Sequence, residues 1–228
     1  MSQPEKVNPP AKTWDRLFAN VGQLAIITTV DAEGRVNAAT FATCVRVVHD
    51  PVHIAFTTSI YKDTYKNIQA TNQFTVNLPS FDRGILEKAC VLGLPFATGV
   101  NELEKAGFTS LPSTIVKPPR VVECRRHFEC EVVWTKAWEG SSVTRVMVVG
   151  NCVAASVDSD CVDERGFVVW ERVKPVQYCG APYLRYNGQP YDKHMFAAAY
   201  ETMTVATPYD GPEVAAHTKM VENEEHFH

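Results

Sequence analysis

No Cys-x-x-Cys pair, no Gly-x-Gly-x-x-Gly turn, no long apolar run and no excess of basic residues occur in this chain of 228 residues. Each absence removes a class of function. The seven cysteines (Cys44, Cys90, Cys124, Cys130, Cys152, Cys161, Cys179) are odd in number and unclustered, which argues against a disulfide framework and a tetrahedral zinc site. They read as buried, reduced thiols, Cys44 included. The twelve glycines contain no dinucleotide fingerprint, and neither a Gly-x-Ser-x-Gly elbow nor a P-loop is present, so Rossmann, hydrolase and NTPase readings lose their usual support. A net charge of −4 without a long Lys/Arg cluster denies the protein the basic field that nucleic acids require.

No stretch approaches the roughly 20 apolar residues that span a bilayer, and the start MSQPEKVNPP is polar, unlike a signal peptide. The expectation is a soluble, cytoplasmic protein. Histidines give no metal site either. His49 and His53 straddle a proline turn with no third ligand, and His226 and His228 close a charged tail. No functional metal is expected, and His194 reads as a surface or interface residue rather than a haem ligand.

What is present is a β-rich chain with 45% hydrophobic residues, enough for a full core, since a chain of this size hides roughly 70 to 75% of its unfolded surface. Between Val52 and Leu78 it reads strand (VHIAFTTS), loop, short helix (YKNIQA), strand (FTVNL). Asp63 and Thr64 precede the helix and can cap it through a side-chain oxygen. The first-turn amides, the hydroxyls of Thr58, Ser59 and Thr64, and the Lys62 ammonium can converge on a phosphate. A helix terminus alone contributes about 0.3 to 2 kcal/mol, so selectivity has to come from the convergence.

A second stretch, LAIITTVDAEGRVNAATFATCVRVV from Leu24, reads as a hairpin turning at DAEG. Its second strand is rich in small residues (Asn37, Ala38, Ala39, Thr40, Ala42, Thr43), which let a flat ring lie against the backbone. Further on, DRGILEKACVLGL (82–94) reads as a helix opened by Asp82, and NELEKAG as a shorter one ended by Gly107. RVVEC, FECEVVWTKAW and TRVMVVGNCVAASVD read as strands. Trp134 and Trp138, beside the turn EGSS, read as core or interface packing.

Taken in this order, the motifs TVDAEGRVNAATFAT, DPVHIAFTTS and KDTYKNIQATNQFTVNLPS, with weaker support from ELEKAGF, EVVWTKAW and VVGNCVAASVD, resemble the flavin reductase-like, FMN-binding split-barrel family, which includes the flavoredoxins. The resemblance spans residues 17–200, leaving 1–16 and 201–228 as extensions. It implies a mainly β fold with helical excursions, an antiparallel Greek-key barrel of about six strands, working as a homodimer with one flavin per subunit near the interface. Carried over residue by residue, it places Asn37, Ala39, Thr40, Phe41 and Ala42 along the isoalloxazine, and Thr58, Ser59, Lys62, Asp63 and Thr64 around the phosphate. Asn67 and Asn77 belong to the same block and rank second, as residues that brace the loop.

The sequence also departs from the family. Where reductase members often carry Gly-Asp-His on a late strand, this chain reads EGSSVTRVMVVGN, with Thr144 or Arg145 near the histidine's place. Glu102 stands where a lysine is common, which makes an anionic substrate less welcome. The irregular segment KPVQYCGAPYLRYNGQPYDKHMF is expected to roof the flavin or cross the partner subunit, with Tyr183 and Tyr186 as substrate contacts. The default function is NAD(P)H-dependent flavin reductase-like electron transfer. The alternatives are an enzyme using tightly bound FMN on a small molecule or protein donor, and a non-catalytic flavin- or haem-binding module.

Overall fold

The computed structural model describes residues 6–7, 22–138, 144–180 and 195–198. Tyr183, Tyr186, His194, the EGSS turn, the expected C-terminal extension and all of the N-terminal one except 6–7 lie outside these residues.

Six antiparallel strands close a barrel: β1 (Gly22–Val30), β2 (Val36–His49), β3 (Val52–Ser59), β4 (Gln73–Leu78), β7 (Arg126–Trp138) and β8 (Arg145–Val157), in the order β1-β2-β3-β8-β7-β4 and back to β1. Three successive strands joined by tight turns, with β4 returning beside β1, make the Greek key. The β3-to-β4 crossover carries helix α1 (Asp63–Thr71). A two-stranded piece, β5 (Ser110–Leu111) with β6 (Arg120–Val121), stands apart, and β9 (Val176–Gly180) and β10 (Met195–Ala198) extend the sheet from the start of β1. Among the described residues, no helix is long and apolar enough to cross a membrane.

β1 shows why the core has two parts. Successive side chains of a strand point to opposite faces, and here both faces are covered: Ala25 and Ile27 join Ile54, Phe56, Ile68, Phe74 and Val148 inside the barrel, while Leu24 and Ile26 meet an outer helical layer. That layer is α2 (Arg83–Val91), opened by Asp82, whose carboxylate accepts from the Ile85 amide at 3.0 Å, and α3 (Glu102–Ala106), ended by Gly107 at φ 73°. Leu86, Ala89, Leu103 and Phe108 pack it onto the wall. Inside, the rings of Phe41, Phe56 and Phe74 meet edge-on with centroids 5.0 and 5.2 Å apart, an arrangement favoured by the aromatic quadrupole.

The hairpin turns as expected, with the Asp31 carboxylate accepting from the amides of Glu33 and Arg35 and Gly34 at φ 83°. RVVEC, by contrast, is strand only at Arg120–Val121. The chain turns at Val122 and Glu123, whose carboxylate accepts from the Thr109 amide instead of continuing a ladder. The helix expected to Leu94 stops at Val91. A short helix, α4 (Trp170–Val173), leads into β9.

Candidate functional site

The barrel opens between β2 and β3. The two strands pair from His49↔Val52 to Val45↔Ala55 and then part, while β3 stays paired with β8 on its other edge, from His53↔Asn151 to Ser59↔Arg145. Thr43 plugs the fork: its Oγ1 accepts from the Thr57 amide at 3.0 Å. Beyond it, the Asn37–Ala42 segment pairs only with β1. The Ala38 amide points away from β1, toward Glu102, and antiparallel alternation turns the Thr40 amide the same way. A cleft of about 870 Å³ occupies the gap, within the range of small-molecule sites. Its floor is this half-buried run of small residues, and Leu92, Gly93, Leu94, Pro95 and Phe96 line it from the chain after α2.

At one end lies the start of α1. The N-cap position is Lys62, extended at φ −82° and ψ 146°, and no side chain caps the helix. This corrects the expectation for Asp63 and Thr64. Asp63 is the first helical residue, and its carboxylate turns back to accept from Lys66 Nζ at 2.9 Å and Thr98 Oγ1 at 3.2 Å. Burial works to raise the Asp63 pKa, but these two donors together with nearby Lys62 and Lys66 hold it below the usual range. The first-turn amides of Asp63 and Thr64 therefore face outward without an intrahelical acceptor. Around them stand the buried residues Thr58 and Ser59 and the exposed cations Lys62 and Arg145, which have no hydrogen-bond or ion-pair partner among the described residues.

Further along the floor the charge reverses. Glu102 is only 9% exposed, and its Oε2 accepts from the Ala38 amide at 2.9 Å. The Asn37 amide is oriented by its neighbours: with its nitrogen toward Glu102 it donates to Oε1 at 3.2 Å, while its oxygen accepts from Thr64 Oγ1 at 3.2 Å. Burial pushes the Glu102 pKa up, the Ala38 amide opposes this, and the charge of Asp63 adds to the rise. The cleft is thus dipolar, cationic at the helix end and acidic beside Asn37.

The structure brings Asn37, Ala39, Thr40, Phe41, Ala42, Thr58, Ser59, Lys62, Asp63 and Thr64 around this one cleft. It places two expected residues elsewhere. Asn77, fully buried in the barrel wall, donates to Ile26 O at 3.1 Å and accepts from the Val121 amide at 2.8 Å. Asn67 donates to Thr29 Oγ1 at 3.1 Å, behind the helix. Both brace the scaffold rather than line the opening. Trp138, read as packing, is 47% exposed and lines the cleft beside Arg145, its cross-strand partner. The Leu92–Phe96 rim escaped the sequence reading. Its signal was an apolar run broken by Gly93 and Pro95.

The main group of possible metal ligands among the described residues, Asp158, Asp160 and Cys161, lies outside the cleft, and Arg125 pairs with both carboxylates at 3.1 and 2.6 Å.

Residues 19–189 match the family described as flavin reductase like domain. An uncharacterized protein of Aquifex aeolicus is 31% identical over 163 residues, 69% of this chain and 80% of its own length. Among solved structures, 2-nitrobenzoate 2-nitroreductase of Pseudomonas fluorescens is 25% identical, covering 90% of this chain and 95% of its own, with a TM-score of 0.71. Flavoredoxin of Desulfovibrio vulgaris (Miyazaki F) shares the fold, at 21% identity and a TM-score of 0.66 over 82% of this chain and 91% of its own.

Proposed function

Since the chain belongs to the flavin reductase-like family, and is on that ground a flavin-related oxidoreductase, we propose that the cleft binds FMN and that the enzyme transfers electrons through it. One observation carries this reading: two cations without a partner among the described residues, an uncapped helix start and a narrow, open-edged strand converge on a single cleft. FMN fits these residues, because a dianion needs several donors at one end and a planar ring needs a slender floor at the other.

When bound, FMN supplies reversible electron and hydride acceptance. The chain's own groups bind and orient it. Lys62, Arg145, the hydroxyls of Thr58 and Ser59 and the amides of Asp63 and Thr64 hold the phosphate. Ala39 and Ala42 let the ring approach the strand, and the outward amide of Thr40 offers it a donor. Asn37 and Glu102 fix the polar edge of the floor, and the side chains of Trp138, Leu94 and Phe96 shield the cleft from water.

In the default version NAD(P)H is the electron donor and flavin the acceptor. A second version, with FMN retained as a prosthetic group for a specific small molecule or protein donor, draws support from Arg145. It pairs with Ser59 at the phosphate end, where an extra cation slows cofactor release. Haem draws no support, since no histidine lines the cleft among the described residues. A homodimer is part of the proposal: Val45, Val47, Val133 and Trp134 leave an apolar surface exposed, the kind that marks an association site. Tyr183 and Tyr186 keep their proposed place as substrate contacts.

The test is to reconstitute the protein with excess FMN, dialyse it, and record flavin absorbance and melting temperature. Retained yellow colour with a higher melting point is expected, and a colourless protein that melts unchanged overturns the reading. NADH and NADPH oxidation measured with and without added FMN then separates the two versions, because only the first accelerates with free flavin.

A further inference from the structure

Cys130 on β7 and Cys152 on β8 are direct cross-strand partners, at a bulge where the register skips Val153. Opposite residues in an antiparallel pair have Cα atoms about 4.5 to 5.5 Å apart, inside the span a disulfide bridges. Each thiol has a backbone acceptor, Cys130 Sγ donating to Phe128 O at 3.8 Å and Cys152 Sγ to Ala154 O at 3.3 Å. Cys130 is fully buried among the barrel's interior side chains, whereas Cys152 is half-buried beside them.

We propose that Cys130 and Cys152 form a thiol–disulfide redox site, separate from the flavin cleft, that is oxidised by small disulfides of the glutathione class. The roles within the pair follow from their surroundings. The adjacent Cys130 thiol favours a thiolate on Cys152 and holds its pKa below the ordinary thiol range, against the effect of burial. The neighbouring Cys152 sulfur, followed by burial, pushes Cys130 up. Cys152 is thus the attacking sulfur, since the thiolate is the nucleophile, and Cys130 resolves.

In the first step the Cys152 sulfur attacks one sulfur of the small disulfide, forming a mixed disulfide and releasing one thiolate. In the second, the Cys130 sulfur attacks the Cys152 sulfur and its proton goes to the second departing thiolate. Two protein thiols lose two electrons and two protons, and one small disulfide becomes two thiols. Cys44 is the nearest competitor. Burial pushes its thiol up to about 12, so it stays protonated and unreactive.

The experiment incubates the full-length protein with glutathione disulfide at pH 8, followed by non-reducing peptide mapping and melting. A peptide pair linked through Cys130 and Cys152 is expected, with a melting temperature about 5 °C higher that dithiothreitol reverses. Cys130→Ser is expected to trap glutathione on Cys152, and Cys152→Ser to yield no link. As a check that needs no variant, limiting iodoacetamide is expected to label Cys152 about 10-fold faster than Cys90 or Cys179 in the wild type. A wild type without the linked pair, a link through Cys44 instead, or alkylation of Cys152 no faster than Cys90 and Cys179 overturns the proposal.

Discussion

Arg145 stands directly across from Ser59 on neighbouring antiparallel strands, so a guanidinium at the start of β8 shares the mouth of the cleft with the hydroxyls at the end of β3. Lys62 stands three residues beyond Ser59 on the same loop. Two cations at one end of a cleft recognise charge rather than ring shape. Arg145→Ala and Lys62→Ala should each weaken FMN binding about 10-fold while leaving riboflavin, which lacks the phosphate, nearly unaffected. Calorimetric titration of both ligands checks this. Equal losses for the two would separate these side chains from the phosphate.

Glu102 is a group whose folded pKa is raised, chiefly by burial, above the ordinary 4.5. Its protonated form is favoured by folding, so the wild type loses stability as pH rises from 4.5 through the folded pKa, and that loss persists above it. Glutamine cannot ionise, yet its carbonyl can still accept from the Ala38 amide. Glu102→Gln should therefore melt above wild type at pH 8, and the gap should close by pH 4. Melting curves across that range test it, a constant gap being the contrary outcome.

Much of the barrel was legible in the chain because its signals are local. The DAEG turn, the Asp82 cap and the Gly107 stop each act within four residues of themselves, and the small-residue run marked the floor. What sequence hid was set by distant pairing. Nothing near Asn77 shows that its amide faces the Ile26 carbonyl across β1 and β4, so it read as part of the binding block. Arg145 meets Ser59 only through β3–β8 register, and alignment by motif puts it or Thr144 near the place of the family's late-strand histidine. Asp63 read as a cap because its type caps helices, but Lys66 and Thr98 draw its carboxylate away, leaving the amides free for a ligand.

Glu129 holds the 113–118 segment onto the barrel. Its carboxylate accepts from three consecutive amides, Thr114, Ile115 and Val116, at 2.7, 2.6 and 3.2 Å. Burial acts to raise its pKa, but those amides and Arg120 outweigh it and the net shift is downward. The stability it confers is therefore present above the ordinary value of 4.5 and lost as pH falls through the lower folded pKa. Glu129→Ala should cost about 3 kcal/mol at neutral pH, since it orphans buried donors, and the deficit should shrink in acid. Denaturant titrations at pH 7 and pH 3 measure both.

Gly150 tests the barrel's packing. It pairs with Ile54 on one side and Val132 on the other, and a Cβ there would lie 2.5 and 2.6 Å from Cε1 and Cζ of Phe74 and 3.1 Å from the Cys130 Cβ. The Phe74 ring is fully buried and already set edge-on against Phe56, so it has no room to retreat. The obstacle is an aromatic ring that fills the interior, not backbone strain. Gly150→Ala should destabilise the protein by about 1 to 3 kcal/mol, whereas Gly150→Ala combined with Phe74→Leu, which vacates that space, should recover part of the loss. If chemical denaturation finds the double variant no more stable than Gly150→Ala alone, the ring is not what limits this position.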